Sequence, residues 1–213
     1  MCAQAKKARQ PIYGVHPSVA LVKKWIAELQ ENSGRSLYQW IEIVNRDGPK
    51  AEKERREWLK AKYQLATNSA SWIAERAGGA GGDMDSPEKY LTVAPKYVEE
   101  QYSGKREALR PIYEKLLQSA ASLGAGVKAC PCKTMVPLYR QHVFAQIKAT
   151  TNTRVDLGLA LTHYKKKLPR RIVDTGGLAK KDRITHRIEL QSPAEIDQEV
   201  VKWLETAYQL DGK

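Results

Sequence analysis

The chain is poor in the residues that staple small secreted folds or build metal centres. Its 213 residues include three cysteines, one of them beside the first methionine, and four histidines. Three thiols cannot frame a disulfide-rich domain, and a chain of this length buries a core without staples, so a reducing cytoplasm is the expected setting. No window approaches about 18 consecutive apolar residues, which excludes a membrane-spanning helix. The N-terminal stretch MCAQAKKARQP carries positive charge but lacks the apolar run of a signal peptide. Phenylalanine occurs once, so aromatic packing falls to ten tyrosines and five tryptophans.

Sequence signatures of several chemistries are missing too. There is no Gly-x-Ser-x-Gly elbow, no phosphate-binding P-loop and no Gly-x-Gly-x-x-Gly turn. Cys130-Pro131-Cys132 has one residue too few for a zinc knuckle or a thioredoxin-like pair, and no second cysteine pair follows it. Pro131 suits an edge or bulge where a strand enters a sheet. Asp156 with His186, or His142 with a nearby carboxylate, supplies no acid–base pair on one strand face. The sequence therefore assigns no catalytic residue, no metal and no cofactor. Carboxylates are the scarcer charge, 24 against 36 Lys and Arg, leaving a formal net charge of +12. Residues 128–187 hold fourteen Lys or Arg against three Asp, an excess of eleven that accounts for nearly all of it. So few carboxylates disfavour a Mg²⁺-dependent nuclease, while the cations favour an acidic partner.

Two regimes of pattern flank the glycine-rich AGGAGGDMD at residues 77–85. Before it the periodicity is helical. Val19, Val22, Ile26 and Leu29 follow a Ser18 cap; Leu37, Trp40, Ile41 and Val44 follow Ser36; Trp58, Leu59 and Tyr63 follow Pro49; Trp72 and Ile73 follow Thr67-Asn68-Ser69. After the break, Ser86-Pro87 and Ala94-Pro95 open short helices, and Leu109, Ile112, Tyr113, Leu116 and Leu117 mark a longer one. Strands are expected at 127–130, 134–140, 142–149, 153–161 and 183–190. Ser192-Pro193-Ala194-Glu195 reads as the capping box of a last helix striped by Ile196, Val200, Trp203, Leu204, Ala207 and Tyr208. The expected fold is α+β: an all-helical module, then an antiparallel sheet of about five strands with two helices on one face. The expected organisation is a flexible arm at 1–15, a helical module at 16–77, a linker at 78–85 and an α+β domain at 86–213.

Two long segments carry a resemblance. GRSLYQWIEIVNRDGP…EWLKAKYQLATNSASWIAER resembles a bacterial helical domain family known only as a domain of unknown function. SGKREALRPIYEKLL…KTMVPLYRQHVFAQI…TRVDLGLAL…DRITHRIEL…SPAEIDQEVVKWLETAY is similar to a second such family, which often follows the first in one polypeptide. The resemblance implies a small α+β fold and a bacterial cytoplasmic setting. It brings no activity; relatives beside nuclease-like domains imply a leaning toward nucleic acid.

Strand parity sharpens the site. Val155, Leu157, Leu159 and Leu161 share one face of their strand while Arg154, Asp156 and Gly158 share the other. Ile184, His186, Ile188 and Leu190 likewise oppose Arg183, Thr185, Arg187 and Glu189, and Phe144, Gln146 and Lys148 join the polar face when Val143, Ala145 and Ile147 point inward. The expectation is a basic sheet face with Lys133, Arg140, Phe144, Lys148, Arg154, Asp156, Arg183 and Arg187. A loop with Lys165, Lys166, Lys167, Arg170 and Arg171 extends it, and together they grip a phosphate backbone. Tyr139 and Tyr164 join Phe144 as candidates for base stacking. The same charges also suit a solvated face, or one covered by the helical module. Two other functions stay open. One is a small-anion-binding protein, or an enzyme of unrecognised activity, with Lys133, Arg140, Arg154 and Arg187 converging on a pocket. The other is a protein-interaction module with exposed Trp40 and Trp58.

Overall fold

The structure is a computed structural model and describes residues 13–212. Residues 1–12 of the expected arm, and Lys213, lie outside the described residues. The chain divides into two units, one being His16–Val93 and the other joining residues 13–15 to 94–212.

In the first unit, α1 (Ser18–Ser33), α2 (Leu37–Asp47), α3 (Glu52–Tyr63) and α4 (Thr67–Ala77) follow the helical periodicity. Ser18 is the first helical residue of α1 rather than its cap, and its backbone N–H donates to Nδ1 of His16 at 3.1 Å. Burial lowers the His16 pKa, which keeps that ring neutral and able to accept. Ser36 caps α2 through a reciprocal capping box with Gln39. Leu29, Trp40, Val44, Leu59, Ala70 and Ile73 form the core. Trp40 is 1% exposed, so it is a core residue and not a docking one. The glycine-rich stretch folds back on the unit, with Arg76 paired to Asp85 and the Asp85 N–H donating to Gly82 O at 3.0 Å.

The two short helices expected after the break are one helix, α5 (Pro87–Gln101), with Pro95 inside it. Proline there removes the hydrogen bond to the carbonyl of Leu91, a residue 41% exposed. The division between the units falls within α5.

In the second unit, a 3₁₀ segment (Gly104–Leu109) leads into α6 (Arg110–Ala121), with Pro111 in its first turn. Six strands follow: β1 (Lys128–Ala129), β2 (Val136–Tyr139), β3 (Val143–Ala149), β4 (Val155–Leu159), β5 (Val173–Asp174) and β6 (His186–Leu190). They form one antiparallel sheet in the order β1-β2-β3-β4-β6-β5. The sixth strand is the two-residue β5, too short to leave a periodic signal inside the β4–β6 connection. Tyr13 bridges to Ala129, and the Gly14 N–H donates to Ala129 O at 3.0 Å. The capping box expected at Ser192 does not form: the Ser192 side chain caps no backbone N–H, its Oγ meets Glu195 Oε1 at 3.3 Å, and only a 3₁₀ turn (Pro193–Glu195) follows. α7 (Gln198–Leu210) starts three residues later, where Asp197 Oδ1 accepts from the Val200 N–H at 3.0 Å. α6 and α7 supply Ile112, Leu116, Val200 and Leu204 to a core shared with Ile147, Leu157, Leu159, Ile188 and Leu190. Burying each such side chain contributes about 1.5–3 kcal/mol.

Candidate functional site

Cross-strand register decides which charged residues meet. Gln146 lies opposite Gly158, which lies opposite Arg187; Lys148 lies opposite Asp156, which lies opposite Glu189. Gly158 has a steric reason to be glycine, since a Cβ there would come within 2.7 Å of both Gln146 Cγ and Ile184 Cγ2. Its missing side chain lets Gln146 lie across the sheet.

Arg154 and Arg187 share that face with Asp156 and Glu189, and the four close into a ring of ion pairs. Arg154 Nε approaches Asp156 Oδ1 at 2.9 Å, and its Nη1 approaches Glu189 Oε2 at 3.1 Å. Arg187 Nη2 reaches Glu189 Oε1 at 2.8 Å, with Nε 3.7 Å from Asp156 Oδ2. Thr150 Oγ1 donates to Asp156 Oδ2 at 2.8 Å. Two guanidinium groups facing two carboxylates cancel, so with Lys148 the face carries a net +1. Both acids belonged to this face by parity alone. Their pairing with both arginines needs the β4–β6 register, which no local pattern encodes.

Arg140 and Arg183 sit elsewhere, at the C-terminal end of α7. Arg140 stacks on the Tyr208 ring with its guanidinium carbon 4.5 Å from the centroid, and Nη1 donates to Tyr208 O at 3.2 Å. A cation on the last carbonyls of a helix complements its dipole. Arg183 pairs with Asp211 and donates from Nε to Val143 O at 2.8 Å. The Asp211 carboxylate, wholly shielded from solvent, also accepts the N–H groups of Gln141 and His142, each at 2.9 Å. Sequence reasoning missed Asp211, because a single acid after a helix carries no signal of this role.

Phe144 is placed on the polar face by parity but is 0% exposed, with its ring edge-on to Tyr208 at 5.4 Å. The reason is a β-bulge: Leu138 pairs with Ala145 and Tyr139 with Val143, so Phe144 is the extra residue and alternation resets around it. Tyr164 packs edge-on to Trp203 at 5.1 Å, and burial raises the Tyr139 phenol to about 12. Lys133 is exposed in the turn between β1 and β2. Lys133, Arg140, Arg154 and Arg187 thus line no common pocket: Arg154 and Arg187 meet each other's carboxylates, and Arg140 meets Tyr208.

The loop between β4 and β6 is different in kind. Arg171 is committed to α7, with Nη1 2.6 Å from Asp197 Oδ2 and 3.2 Å from Glu199 Oε2, and Nη2 donating to Glu195 O at 2.6 Å. Lys165, Lys166, Lys167, Arg170, Lys180 and Lys181 are exposed, and none has an ion-pair partner among the described residues. Beside them lies a concavity of about 480 Å³ lined by His163, Leu178, Lys181, Arg183, Leu210 and Asp211. Lys181 holds a left-handed φ of 59° at its edge.

Cys130 and Cys132 are engaged with the backbone. The Cys130 N–H donates to Pro137 O at 2.9 Å, the Cys132 N–H donates to Met135 O at 2.8 Å, and Gln101 Nε2 donates to Cys132 O at 2.7 Å. Burial raises the thiols to about 12 and about 11. Among the described residues, no group of three His, Cys, Asp or Glu could hold a metal ion, and no helix is long and apolar enough to cross a membrane. Asp156 and His186 lie on opposite sheet faces, Asp156 opposite Glu189 and His186 opposite Leu159.

No curated protein and no solved structure matches the chain. Residues 98–211, more than half of the sequence and the whole of the sheet with α6 and α7, match the model of a family described as "Domain of unknown function (DUF5655)", and the chain belongs to that family.

Proposed function

We propose that this protein is a non-catalytic nucleic-acid binder of the bacterial cytoplasm that grips the phosphate backbone through the β4–β6 loop. The carrying observation is the contrast between two sets of cations. Arg154 and Arg187 are neutralised within the sheet, whereas Lys165, Lys166, Lys167, Arg170, Lys180 and Lys181 crowd one connection, exposed and without carboxylate partners among the described residues. Each phosphate neutralised by such a side chain releases counterions, giving affinity that ignores base sequence and falls with salt. Six contacts set a limit of about −5 on the slope of log K against log salt.

Fluorescence anisotropy with labelled single- and double-stranded DNA and RNA across a salt series tests this reading. The triple substitution Lys165→Ala/Lys166→Ala/Lys167→Ala is expected to make that slope shallower by about 3, while Arg154→Ala/Arg187→Ala leaves it unchanged. No binding at low salt sinks the proposal. A second reading draws on the concavity beside the loop, where His163 and Lys181 suit a small anion. It predicts saturable binding of inorganic phosphate that is lost in Lys181→Ala.

A further inference from the structure

The helical unit contains a cavity of its own, which none of the preceding argument uses. It measures about 470 Å³ and lies where the α1–α2 turn meets the α3–α4 turn, at one end of the bundle. Its size falls in the range of small-molecule sites, roughly 300–1,000 Å³, and is too small for a helix or strand of a partner.

The lining has two parts. Leu29, Leu65 and the rings of Trp25, Trp40 and Tyr63 form an aromatic and apolar wall. Both indole N–H groups are already satisfied, Trp25 by Ser69 Oγ at 2.9 Å and Trp40 by Ser33 Oγ at 2.8 Å. The rings are therefore held in place; Trp40 is buried behind Arg35, and the half-buried Trp25 and Tyr63 are what offer ring surface to a ligand. Arg35 is the second part. Its guanidinium carbon lies 5.0 Å from the Trp40 ring centre and 5.8 Å from that of Tyr63.

Comparison with another stacked arginine of the same unit is informative. Arg76 lies 5.4 Å over the Trp25 ring and is neutralised by Asp85. Arg35 has no ion-pair partner among the described residues, and no carboxylate lines the cavity. A guanidinium with one face on aromatic rings keeps its edge N–H donors in a fixed fork, which matches a carboxylate or phosphate. Gln64 brings a carboxamide to the same lining from a left-handed φ of 55°. Ala66, also in the lining, precedes α4 without capping it, so the positive end of that helix adds to the field.

We propose that this cavity binds a small organic anion in which a flat ring is joined to a carboxylate or phosphate, with the ring on the Trp25–Tyr63 wall and the acid group on the fork of Arg35. The site rests on different residues and a different unit from the phosphate-backbone reading, so either fails without the other.

Phenyl phosphate is the probe, followed by NMR of the indole N–H signals of the full chain. Trp25 and Trp40 report on the cavity, Trp72 and Trp58 touch its lining rings Trp25 and Tyr63, and Trp203 in the other unit serves as the internal control. Saturable shifts led by Trp25 and Trp40, with Trp203 unmoved, are expected, with affinity weakened at least about tenfold by Arg35→Gln. Because Arg35 covers Trp40, a second variant guards against misfolding: Ala66→Phe, at an exposed lining position, blocks the cavity without touching Arg35 and must also abolish the shifts. The proposal is overturned by an absence of shifts up to about 10 mM phenyl phosphate, or by shifts shared across all five tryptophans. Unchanged affinity in both variants overturns it too, as does binding of phenol or inorganic phosphate as tight as that of phenyl phosphate.

Discussion

Cys130 and Cys132 show how burial decides the character of a residue. Thiol reactivity belongs to the thiolate, and desolvation holds these groups protonated, at about 12 and about 11. At pH 8 the folded protein is expected to react with iodoacetamide at Cys132 roughly a hundredfold more slowly than the chain in denaturant. Mass spectrometry of quenched time points measures this, and equal rates would show the thiols to be accessible. The Cys-x-Cys spacing argued against a metal knuckle from sequence alone, being one residue short of a knuckle and followed by no second cysteine pair. Arg154 and Arg187 were legible as neighbours on one face, but their commitment to Asp156 and Glu189 was not. A side chain chooses its partner by distance across the sheet, and that distance depends on a register set some thirty residues apart in the chain.

At the level of elements, the two inter-helix turns of the first unit make a matched experiment. Gly34, after α1, holds a φ of 75°, and a Cβ there would meet nothing within 4 Å. Gln64, after α3, holds a similar left-handed φ of 55° with a full side chain. Gly34→Ala is expected to cost about 1 kcal/mol, and Gln64→Gly to gain up to about 1 kcal/mol, because only glycine takes this conformation without a Cβ penalty. Chemical denaturation of both variants beside the parent chain measures the pair; changes of the same sign would contradict the argument. Elements were readable where a local rule governed them. The start of α2 after Ser36, and the helical stripe of Val19, Val22 and Leu29, follow from side chains near one another in the chain. The rule failed where the outcome depended on more than the local pattern: Pro95 continues α5 instead of opening a new helix, and Phe144 leaves its expected face because a bulge fits it beside Tyr208.

For the whole molecule, burial of phenols and thiols sets an alkaline limit. Desolvation raises Tyr13, Tyr102 and Tyr113, and Tyr13 and Tyr113 share a 3.0 Å hydrogen bond; Tyr139 is raised to about 12 alongside the two cysteines. The folded state keeps these protons at a pH where the unfolded chain, with thiols near about 8.5 and phenols near about 10, releases them. More protons are then bound folded than unfolded, so stability present below about pH 8 declines as pH rises through about 9 to 12. Thermal melts between pH 7 and 11 are expected to show a falling Tm above about pH 9, and a flat profile would contradict the burial of these groups.

What the sequence determined by itself was the class of fold, the succession of helical and strand patterns, and the concentration of positive charge in residues 128–187. These are sums over neighbouring residues, and periodicity, capping and charge density survive without knowledge of distant contacts. Tertiary structure decided which charges are spent. Pairing of β4 with β6 placed Arg154 and Arg187 on carboxylates, the end of α7 took Arg140 and Arg183, and its first turn took Arg171. The loop lysines and Arg35 are left without an ion-pair partner among the described residues. An ion pair is a contact at about 3–4 Å, and only folding brings residues far apart in sequence to that distance.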